Sequence, residues 1–462
     1  MRVAVIGAGI AGLSAARDLG AGGHSCDVYE RWPGLGGQVA SLDVGDGHML
    51  ERYYHHLFTS DQAIVELYEE LGMAEAIQWS RSSMAMFVDG ASHPFTSPLD
   101  LLRFSPVSIA TRLRMGLAVL GLQRRHRSVE HFEAQTAREW IVKAMGPQAW
   151  DKVWGPLLRG KFGDRADSIS MGWLWSKLTV RRQIKGAEAR EELLGYPRGG
   201  WQPLLERLVA EIESHGGRVL IDRPALRISA EGGGFEITAG AAGSFRRGLD
   251  PRQFEPEGEP ESYDAVLATV PNDVFDALLD AELSSAIGSR YRSKLESIEY
   301  HTALCVLIEM DRSFTPFYWT NIADPGLPFV GLVEHTNLVS PGDYGDRRFL
   351  YIANYVQPGD PLLSLGFEAL LHAYEPGLKQ VNPDYTRDWV KRFWVHSEPA
   401  AQPIVTTGYR ERIPEMQTPV RGLMLANTTQ IYPEDRGTNY SVRLGREAAA
   451  AMLVAMPATA RA

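Results

Sequence analysis

The first thirty residues alternate between short apolar runs and glycine-rich breaks. Residues 3–6 are continuously apolar, as in a parallel strand that is buried on both faces. Apolar side chains then recur at helical spacing over 13–19, and a second strand-like run covers 26–30. The pattern therefore predicts a strand, a helix and a second strand, which together begin an α/β domain with a parallel sheet.

Farther along the chain the pattern changes twice. Residues 86–194 are mostly helical in their spacing, whereas 302–311, 327–335 and 348–356 are rich in the β-branched and aromatic residues that favour strands. A chain of 462 residues is long for one hydrophobic core, so we expect two or more domains. No run of about 18 apolar residues occurs, so the sequence predicts no membrane-spanning helix.

Charge and cysteine content narrow the class of protein. The chain has 47 Lys and Arg against 57 Asp and Glu, a formal net charge of −10. This balance argues against nucleic acid as a partner, because phosphate binding needs clustered cations. The two cysteines, Cys26 and Cys305, have no CxxC spacing and predict a reduced, cytoplasmic protein.

Three glycines follow the first predicted strand. Gly7 suits a tight turn, Gly9 lets a pyrophosphate approach the backbone, and Gly12 lets the helix pack closely on the strand. Glu30 stands 18 residues beyond Gly12, where a carboxylate accepts hydrogen bonds from ribose hydroxyls and repels a 2′-phosphate. The motif predicts NAD or FAD, and not NADP, as the ligand. The expected contacts to the pyrophosphate, at the start of the helix, are Gly7, Gly9, Ile10, Ala11 and Gly12.

A second glycine-rich stretch, ERWPGLGGQ at 30–38, resembles a fingerprint of the FAD-dependent amine oxidase, protoporphyrinogen oxidase and phytoene desaturase superfamily. The resemblance implies that the cofactor is FAD. It also implies that the doublet of Gly36 and Gly37 passes beside the pyrophosphate and ribityl chain, close to Arg31. The family usually carries Arg after the doublet, whereas this chain has Gln38, which we expect to remove one cation from the surroundings of the cofactor.

Three later segments, 196–228, 263–271 and 422–453, resemble the same superfamily in the same order. The likeness implies that the backbone of Leu226 meets the adenine and that the chain leaves the cofactor domain at Pro271. The family usually has an acid in the last segment where this chain has Asn427, which can bond a hydroxyl but carries no charge. Thr438 and Asn439 open a helix whose first amides are expected at the N1–O2 edge of the flavin.

These segments imply a fold and a division of the chain. We expect an α/β protein with a Rossmann-like FAD-binding domain, of the glutathione-reductase type, assembled from 1–85, 195–270 and 405–456. The insertions at 86–194 and 271–404 would form an α+β substrate-binding domain over the flavin. No second GxGxxG motif follows a strand, so we expect no separate NAD(P)H domain.

The stretch ERYYHHLFTSD at 51–61 contains two adjacent histidines. A metal site is not expected, because neither HxxxH spacing nor a carboxylate cluster accompanies them. The resemblance implies that this stretch passes beneath the flavin, so that Tyr54, His55 or His56 would face the ring. One imidazole could transfer a proton in catalysis, with His56 favoured, or both could form only a wall of the pocket.

Two activities fit the resemblance. In the first, two electrons leave a hydrophobic small molecule or lipid as hydride to flavin N5, and oxygen or a quinone reoxidises the flavin. The region 298–311 contains no Lys, which favours this desaturase or oxidase type over amine oxidation. In the second, the histidine stretch resembles UDP-galactopyranose mutases, in which reduced flavin acts without net oxidation. A mutase needs a cationic site for a diphosphate, for which the candidates are Arg159, Lys161, Arg181, Arg182 and Lys185.

Residues 101–128 combine six arginines, no acids and many aliphatic side chains in a chain that is otherwise acidic. A basic, apolar helix can lie in the interface of an anionic membrane, here on its inner face. The alternative is a surface helix that packs its apolar side on its own domain. The sequence leaves both interpretations open.

Overall fold

The computed structural model describes residues 1–124, 128–180, 193–243 and 255–456. Its first layer is a five-stranded parallel sheet to which three stretches of the chain contribute. From one edge to the other, the strands are β10 (Arg218–Leu220), β2 (Ser25–Tyr29), β1 (Arg2–Ile6), β14 (Ala265–Ala268) and β20 (Leu423–Leu425).

The central strand β1 contributes to two hydrophobic cores, because alternate side chains point to opposite faces of the sheet. Val3 and Val5 pack with the helices α1 (Ile10–Ala21), α10 (Gln202–Ser214) and α16 (Thr438–Ala455). Ala4 and Ile6 pack on the other side with an antiparallel sheet. That sheet contains β11 (Ala225–Glu231), β12 (Gly234–Ala239) and β13 (Glu261–Tyr263). Burial on both faces explains why the strand is apolar at every position from 3 to 6.

A seven-stranded sheet forms the second large layer. From edge to edge its strands are β19 (Val390–Pro403), β15 (Tyr300–Met310), β18 (Arg348–Val356), β17 (Gly331–Glu334), β16 (Trp319–Ile322), β7 (Met84–Val88) and β8 (Ala91–Pro94). The strands predicted at 302–311, 327–335 and 348–356 are confirmed, although the second is limited to 331–334. β7 spans the predicted domain boundary at residue 85, so this layer begins slightly earlier in the chain than expected.

The described residues also form two small sheets. In one, β3 (Ser41–Asp43) pairs with β4 (Met49–Glu51); in the other, β9 (Leu193–Pro197) lies between β5 (Leu57–Phe58) and β6 (Ile77–Arg81). Helix α2 (Gln62–Glu70) follows β5. The first insertion is mostly helical, as predicted, with α3 (Pro98–Arg103), α4 (Ile109–Arg124), α5 (Glu130–Glu133), α6 (Ala137–Ala144), α7 (Pro147–Ala149), α8 (Gly155–Phe162) and α9 (Met171–Val180). Further α-helices within the described ranges are α11 (Asn272–Leu278), α12 (Ala281–Ala286), α13 (Gly288–Glu296), α14 (Phe367–Val381) and α15 (Tyr409–Arg412).

Helix α4, within the basic segment, carries apolar side chains on two opposite faces. Met115 and Leu122 are buried against the helix's own domain. A second set faces outward at intervals of four, four and three residues, which places its members along one side of the helix. This set, the exposed α4 stripe, consists of Ile109, Leu113, Leu117 and Leu120, which are 69%, 51%, 69% and 45% exposed. Within the described ranges, no helix is long and apolar enough to cross a membrane.

Candidate cofactor cleft and active site

A deep cleft opens at the carboxyl ends of the parallel strands. Its empty volume is about 1470 Å³, part of which is open to solvent. Sheets of this kind bind ligands at this edge, where the loops that follow the strands diverge. The cleft is lined by the following residues that the sequence predicted for the cofactor: Gly7, Gly9, Ile10, Ala11, Glu30, Arg31, Gly36, Gly37, Gln38, Asn427 and Thr438.

The two glycine-rich loops are in backbone contact at the floor of the cleft. Gly36 N donates to Ala8 O at 2.9 Å, and a Cβ on Gly37 would lie 3.2 Å from the Cα of Gly9. A Cβ on Gly12 would lie only 2.1 Å from the carbonyl oxygen of Gly7, so helix α1 can begin here only with glycine at 12. A Cβ on Gly9 would meet nothing within 4 Å, because this position faces the open cleft. The loops therefore form a floor of bare backbone on which a pyrophosphate can lie.

Glu30 lies at one end of the cleft, at the carboxyl end of β2. Its side chain accepts hydrogen bonds from the backbone N–H groups of Ala8 and Trp32, both at 2.9 Å, and the residue is 8% exposed. Burial raises the pKa of this carboxyl, and the two N–H groups oppose that shift. Since each carboxylate oxygen has further lone pairs, Glu30 can hold the glycine loop and also accept from ribose hydroxyls.

Two of the predicted cofactor residues, Leu226 and Asn439, are absent from the lining of the cleft. Pro224 and Ala225 line the cleft, whereas the side chain of Leu226 is buried beside Gly240. The offset by one accompanies a break in the strand register between Ala225 and Arg227, where the regular alternation of side chains is interrupted. Asn439 turns away, and its Oδ1 accepts from Ile64 N at 3.2 Å, so the helix start presents Thr438 and Gly437 to the cleft instead.

Asn427 borders the cleft, but its side chain bonds to protein. Its Nδ2 donates to Val270 O at 2.8 Å and to Asn272 Oδ1 at 2.9 Å, while its Oδ1 accepts from Thr429 N at 3.0 Å. The amide therefore joins the loops that follow β14 and β20. Asn427 shapes the wall of the cleft through these bonds, and its own backbone N–H also donates to protein, at Gln430 Oε1.

Arg436 is a cation beside Gln38, the position at which one cation is expected to be missing relative to the family. Its guanidinium donates to Gln38 Oε1 at 3.2 Å, to Gln402 Oε1 at 3.0 Å and to Tyr355 Oη at 2.8 Å. Burial opposes its charge, yet the oxygens of Tyr355 and Asp435 hold the pKa of Arg436 above its usual value. Arg436 is not among the residues predicted for the cofactor, although its place directly before Gly437 is a usable signal.

His55 lies in the wall of the cleft. Its Nδ1 is 2.7 Å from Tyr53 O, and because a carbonyl only accepts, Nδ1 carries the proton and Nε2 presents a lone pair. Burial lowers the pKa of His55 to about 4, so the ring is neutral near pH 7. A neutral imidazole with a free Nε2 lone pair can accept a proton.

His56 and Tyr54 belong to an aromatic group beside the cleft. The Nδ1 of His56 is 3.0 Å from Tyr318 Oη, and its ring packs edge-on against Phe58 and Trp319. Tyr54 packs edge-on against Trp319 with ring centres 4.9 Å apart, and burial raises its pKa well above the usual value. The geometry favours His55 over His56 as the ring that reaches the cofactor, and catalysis by either stays a prediction.

The predicted cationic candidates divide into two groups. Arg181, Arg182 and Lys185 lie outside the described residues. Arg159 is exposed on α8, and Lys161 forms an ion pair with Asp435. Among the residues that the structure describes, no group of three or more His, Cys, Asp or Glu side chains is arranged to hold a metal ion.

Residues 10–453 match the family model described as flavin containing amine oxidoreductase. A curated relative, 15-cis-phytoene desaturase from Synechococcus elongatus, is 29% identical over 241 residues, which are 48% of this chain and 50% of that protein. The chain thus spans about half the length of this relative.

Two solved structures show the same fold. An oxidoreductase from Methanosarcina mazei has a TM-score of 0.72 at 18% identity, covering 98% of this chain and 100% of that one. A reduced UDP-galactopyranose mutase has a TM-score of 0.71 at 16% identity, covering 99% of this chain and 96% of that one. At these identities the likeness establishes the fold alone.

Proposed function

The chain belongs to the flavin-containing amine oxidoreductase family and is an FAD-dependent oxidoreductase, and from that premise we propose that it oxidises a C–H bond of a largely apolar small molecule or lipid. When bound, FAD accepts a hydride equivalent at its flavin N5. The proposal includes oxygen or a quinone as the final acceptor. It also treats the parallel-sheet half of the molecule as a Rossmann-like FAD-binding domain of the glutathione-reductase type.

The contact between the two glycine loops is the observation that carries this proposal. Gly9 and Gly37 meet through backbone atoms, and the open side of Gly9 faces the cleft. Glu30 lies at the end of the cleft where a ribose would follow the pyrophosphate, and α1 directs its positive end at the same place. The residues present therefore fit FAD, with Glu30 at the adenosine end and His55, Gln38 and Arg436 at the flavin end.

His55 is proposed to act on a proton at the flavin end. Its Nδ1–H is fixed on Tyr53 O, which orients the ring, and its Nε2 can accept a proton from the substrate. Tyr54, Trp319 and Tyr351 form an edge-to-face aromatic group next to it. These rings would exclude water and contact an apolar part of the substrate.

The second candidate is a mutase or isomerase that keeps its flavin reduced. The likeness to a reduced UDP-galactopyranose mutase and the cations Lys161 and Arg436 favour it. An anaerobic experiment separates the two candidates. Oxidised holoenzyme is mixed with a panel of lipids, terpenoids and nucleotide sugars, and flavin absorbance is followed with and without prior dithionite. Bleaching by a substrate, followed by recovery with oxygen or a quinone, supports the oxidoreductase; turnover only after dithionite supports the mutase.

The exposed α4 stripe is proposed to rest on an anionic membrane, at the inner face, as a peripheral contact of a cytoplasmic protein. Its four aliphatic side chains point outward, and Arg112 and Arg114 lie on either side of them around the helix. In interfacial helices, aliphatic side chains lie at the boundary of the acyl chains and arginines lie at the lipid headgroups. Arg125 and Arg127 of the same segment lie outside the described residues.

A further inference from the structure

Three cations surround one carboxylate where α8 and α9 meet the loop before α16. Asp435 accepts a hydrogen bond from Lys161, another from Lys177 at 2.6 Å, and one from Trp173 Nε1 at 3.3 Å. Arg436 follows directly in the chain and lines the cleft. We call Lys161, Lys177, Asp435 and Arg436 the cationic cluster.

The positive charges of this cluster exceed the negative charges around it. The hydrogen bonds of Arg436 go to the neutral oxygens of Tyr355, Gln402 and Gln38. Tyr355 also lies 6.0 Å from the ammonium of Lys161, so it stands between two of the cations. Glu398 lines the neighbouring wall of the cleft, and including it gives three cations against two carboxylates.

Such an excess is unfavourable in the interior, because a desolvated charge needs a partner of opposite sign. Burial lowers the pKa of both lysines, and the Asp435 carboxylate opposes that shift. The cluster is nevertheless accessible, since 39% of the Lys177 side chain and 20% of the Lys161 side chain are exposed. A negatively charged ligand could therefore reach it and supply the missing partner.

His301 provides a second observation at the same place. It is 1% exposed, and neither ring nitrogen has a hydrogen-bond partner among the described residues. It lies directly opposite Gln402 in the β15–β19 pair, so both side chains project from the same face, and Gln402 bonds to Arg436. A Cβ on Gly163, two residues beyond Lys161, would be 3.1 Å from the His301 ring. A buried imidazole without partners, next to three cations that share one carboxylate, is typical of a site that a polar ligand completes.

We propose that the cationic cluster binds an oxyanion of the substrate, a carboxylate or a phosphate, with His301 as a further hydrogen-bonding group. This inference rests on the proposed function, because it assumes that the substrate enters from the side of His55 and the aromatic group. The substrate would then have an apolar body against Tyr54 and Trp319 and an acidic end at Lys161, Lys177 and Arg436. A substrate with an ammonium end is excluded, because it would meet an excess of like charge.

Short ligands with one octyl chain and different head groups test the charge preference. Holoenzyme with FAD bound is titrated with octanoate, octyl phosphate and octylamine by calorimetry, and the flavin difference spectrum is recorded in parallel. We expect octanoate or octyl phosphate to bind at least tenfold more tightly than octylamine. Whichever of octanoate and octyl phosphate binds more tightly identifies the oxyanion as carboxylate or phosphate. Equal binding of the acids and the amine would overturn the proposal.

Substitutions then locate the binding. Arg436→Gln and Lys177→Gln should each weaken binding of the preferred acid about 10- to 100-fold, as when a charge-assisted hydrogen bond is lost, and Arg436→Lys should restore part of it. Arg421→Gln, at an exposed position on the loop before β20, is the matched control and should bind as the wild type does. Lys177 is accessible enough that its substitution tests the site even if Arg436→Gln does not fold. Unchanged binding in Lys177→Gln and in any folded Arg436 variant would refute the assignment.

The two proposals fail in different ways. If no substrate of either charge bleaches the flavin, the oxidoreductase proposal fails. The calorimetric comparison of acids with octylamine still tests whether the cationic cluster binds an oxyanion. If flavin is bleached by a neutral or cationic substrate and acids bind no better than octylamine, the function stands and the oxyanion site is refuted.

Discussion

Replacing Glu30 by Gln should weaken FAD binding about 10- to 100-fold. The carboxylate accepts the N–H groups of Ala8 and Trp32 through different oxygens, and the proposed ribose hydroxyls use its remaining lone pairs. Gln has one acceptor oxygen, so at least one charge-assisted hydrogen bond is lost. Each such bond contributes about 1.5–3 kcal/mol, and about 1.4 kcal/mol is a factor of ten in affinity. Glu30→Ala removes both ribose bonds and should cost about 3–6 kcal/mol, or roughly 10²- to 10⁴-fold.

The assay is titration of apoprotein with FAD, followed by the loss of fluorescence of the free flavin. Glu231→Gln, at an exposed position on β11, is the matched control and should bind FAD as the wild type does. Thermal unfolding of each apoprotein separates a loss of affinity from a loss of folding. FAD affinity within twofold of wild type in a folded Glu30→Gln protein would refute the placement of the ribose at this end of the cleft.

The other predictions concern three parts of the molecule. His55→Asn should slow flavin reduction, measured by stopped flow, about 10²- to 10⁴-fold at unchanged FAD content, whereas His56→Asn should leave the rate nearly normal. Normal rates in both variants would refute an acid–base role for either histidine. Glu51 is buried, which raises the pKa of its carboxyl to about 7 despite hydrogen bonds from Tyr196 and Trp201. Because the folded-state value exceeds the usual 4.5, its stabilisation is full below pH 4.5 and is lost as pH rises through 7. The free energy of unfolding in urea should therefore fall by up to about 3 kcal/mol less in Glu51→Gln than in the wild type as pH rises from 4.5 through 7. An equal fall in both proteins would contradict the assignment. Finally, anionic liposomes at low salt should retain the wild type and release the double variant Leu113→Ser/Leu117→Ser, with neutral liposomes as the control; equal retention would favour simple surface packing of α4.

Features that depend on neighbouring residues could be predicted from the sequence. The glycine loop, the strand before it and the helix after it lie within about twenty residues, so one short stretch of sequence is enough to predict the dinucleotide-binding motif. The strand at 348–356 is predicted with the bounds that the structure shows, because aromatic and β-branched residues make up most of the run and most of its side chains are buried. The family resemblance is confirmed for the same reason, since its motifs are local.

Features that depend on contacts between distant residues could not be predicted. Arg436 meets Gln38 across 398 positions of the chain, so no local pattern reveals that it supplies a cation beside Gln38. The choice between His55 and His56 depends on which way an extended chain is turned, and a shift of one residue reverses it. The lining of the cleft by Ala225 instead of Leu226 accompanies a break in the strand register, which a local pattern does not reveal. Helix α4 has apolar residues on opposite faces, which removes the amphipathic signal that would have identified its exposed side.

The cleft is built from both ends of the described chain, and this sets when a newly made molecule can take up its flavin. The glycine loops are complete by residue 37, but the wall beside the flavin needs Asn427 and Thr438. At a ribosomal rate of about 5–20 residues per second, the intervening 400 or so residues take roughly 20 to 80 s to synthesise. Until Thr438 has been made, the nascent chain lacks this wall, so complete flavin loading follows the synthesis of the last segment of the cleft.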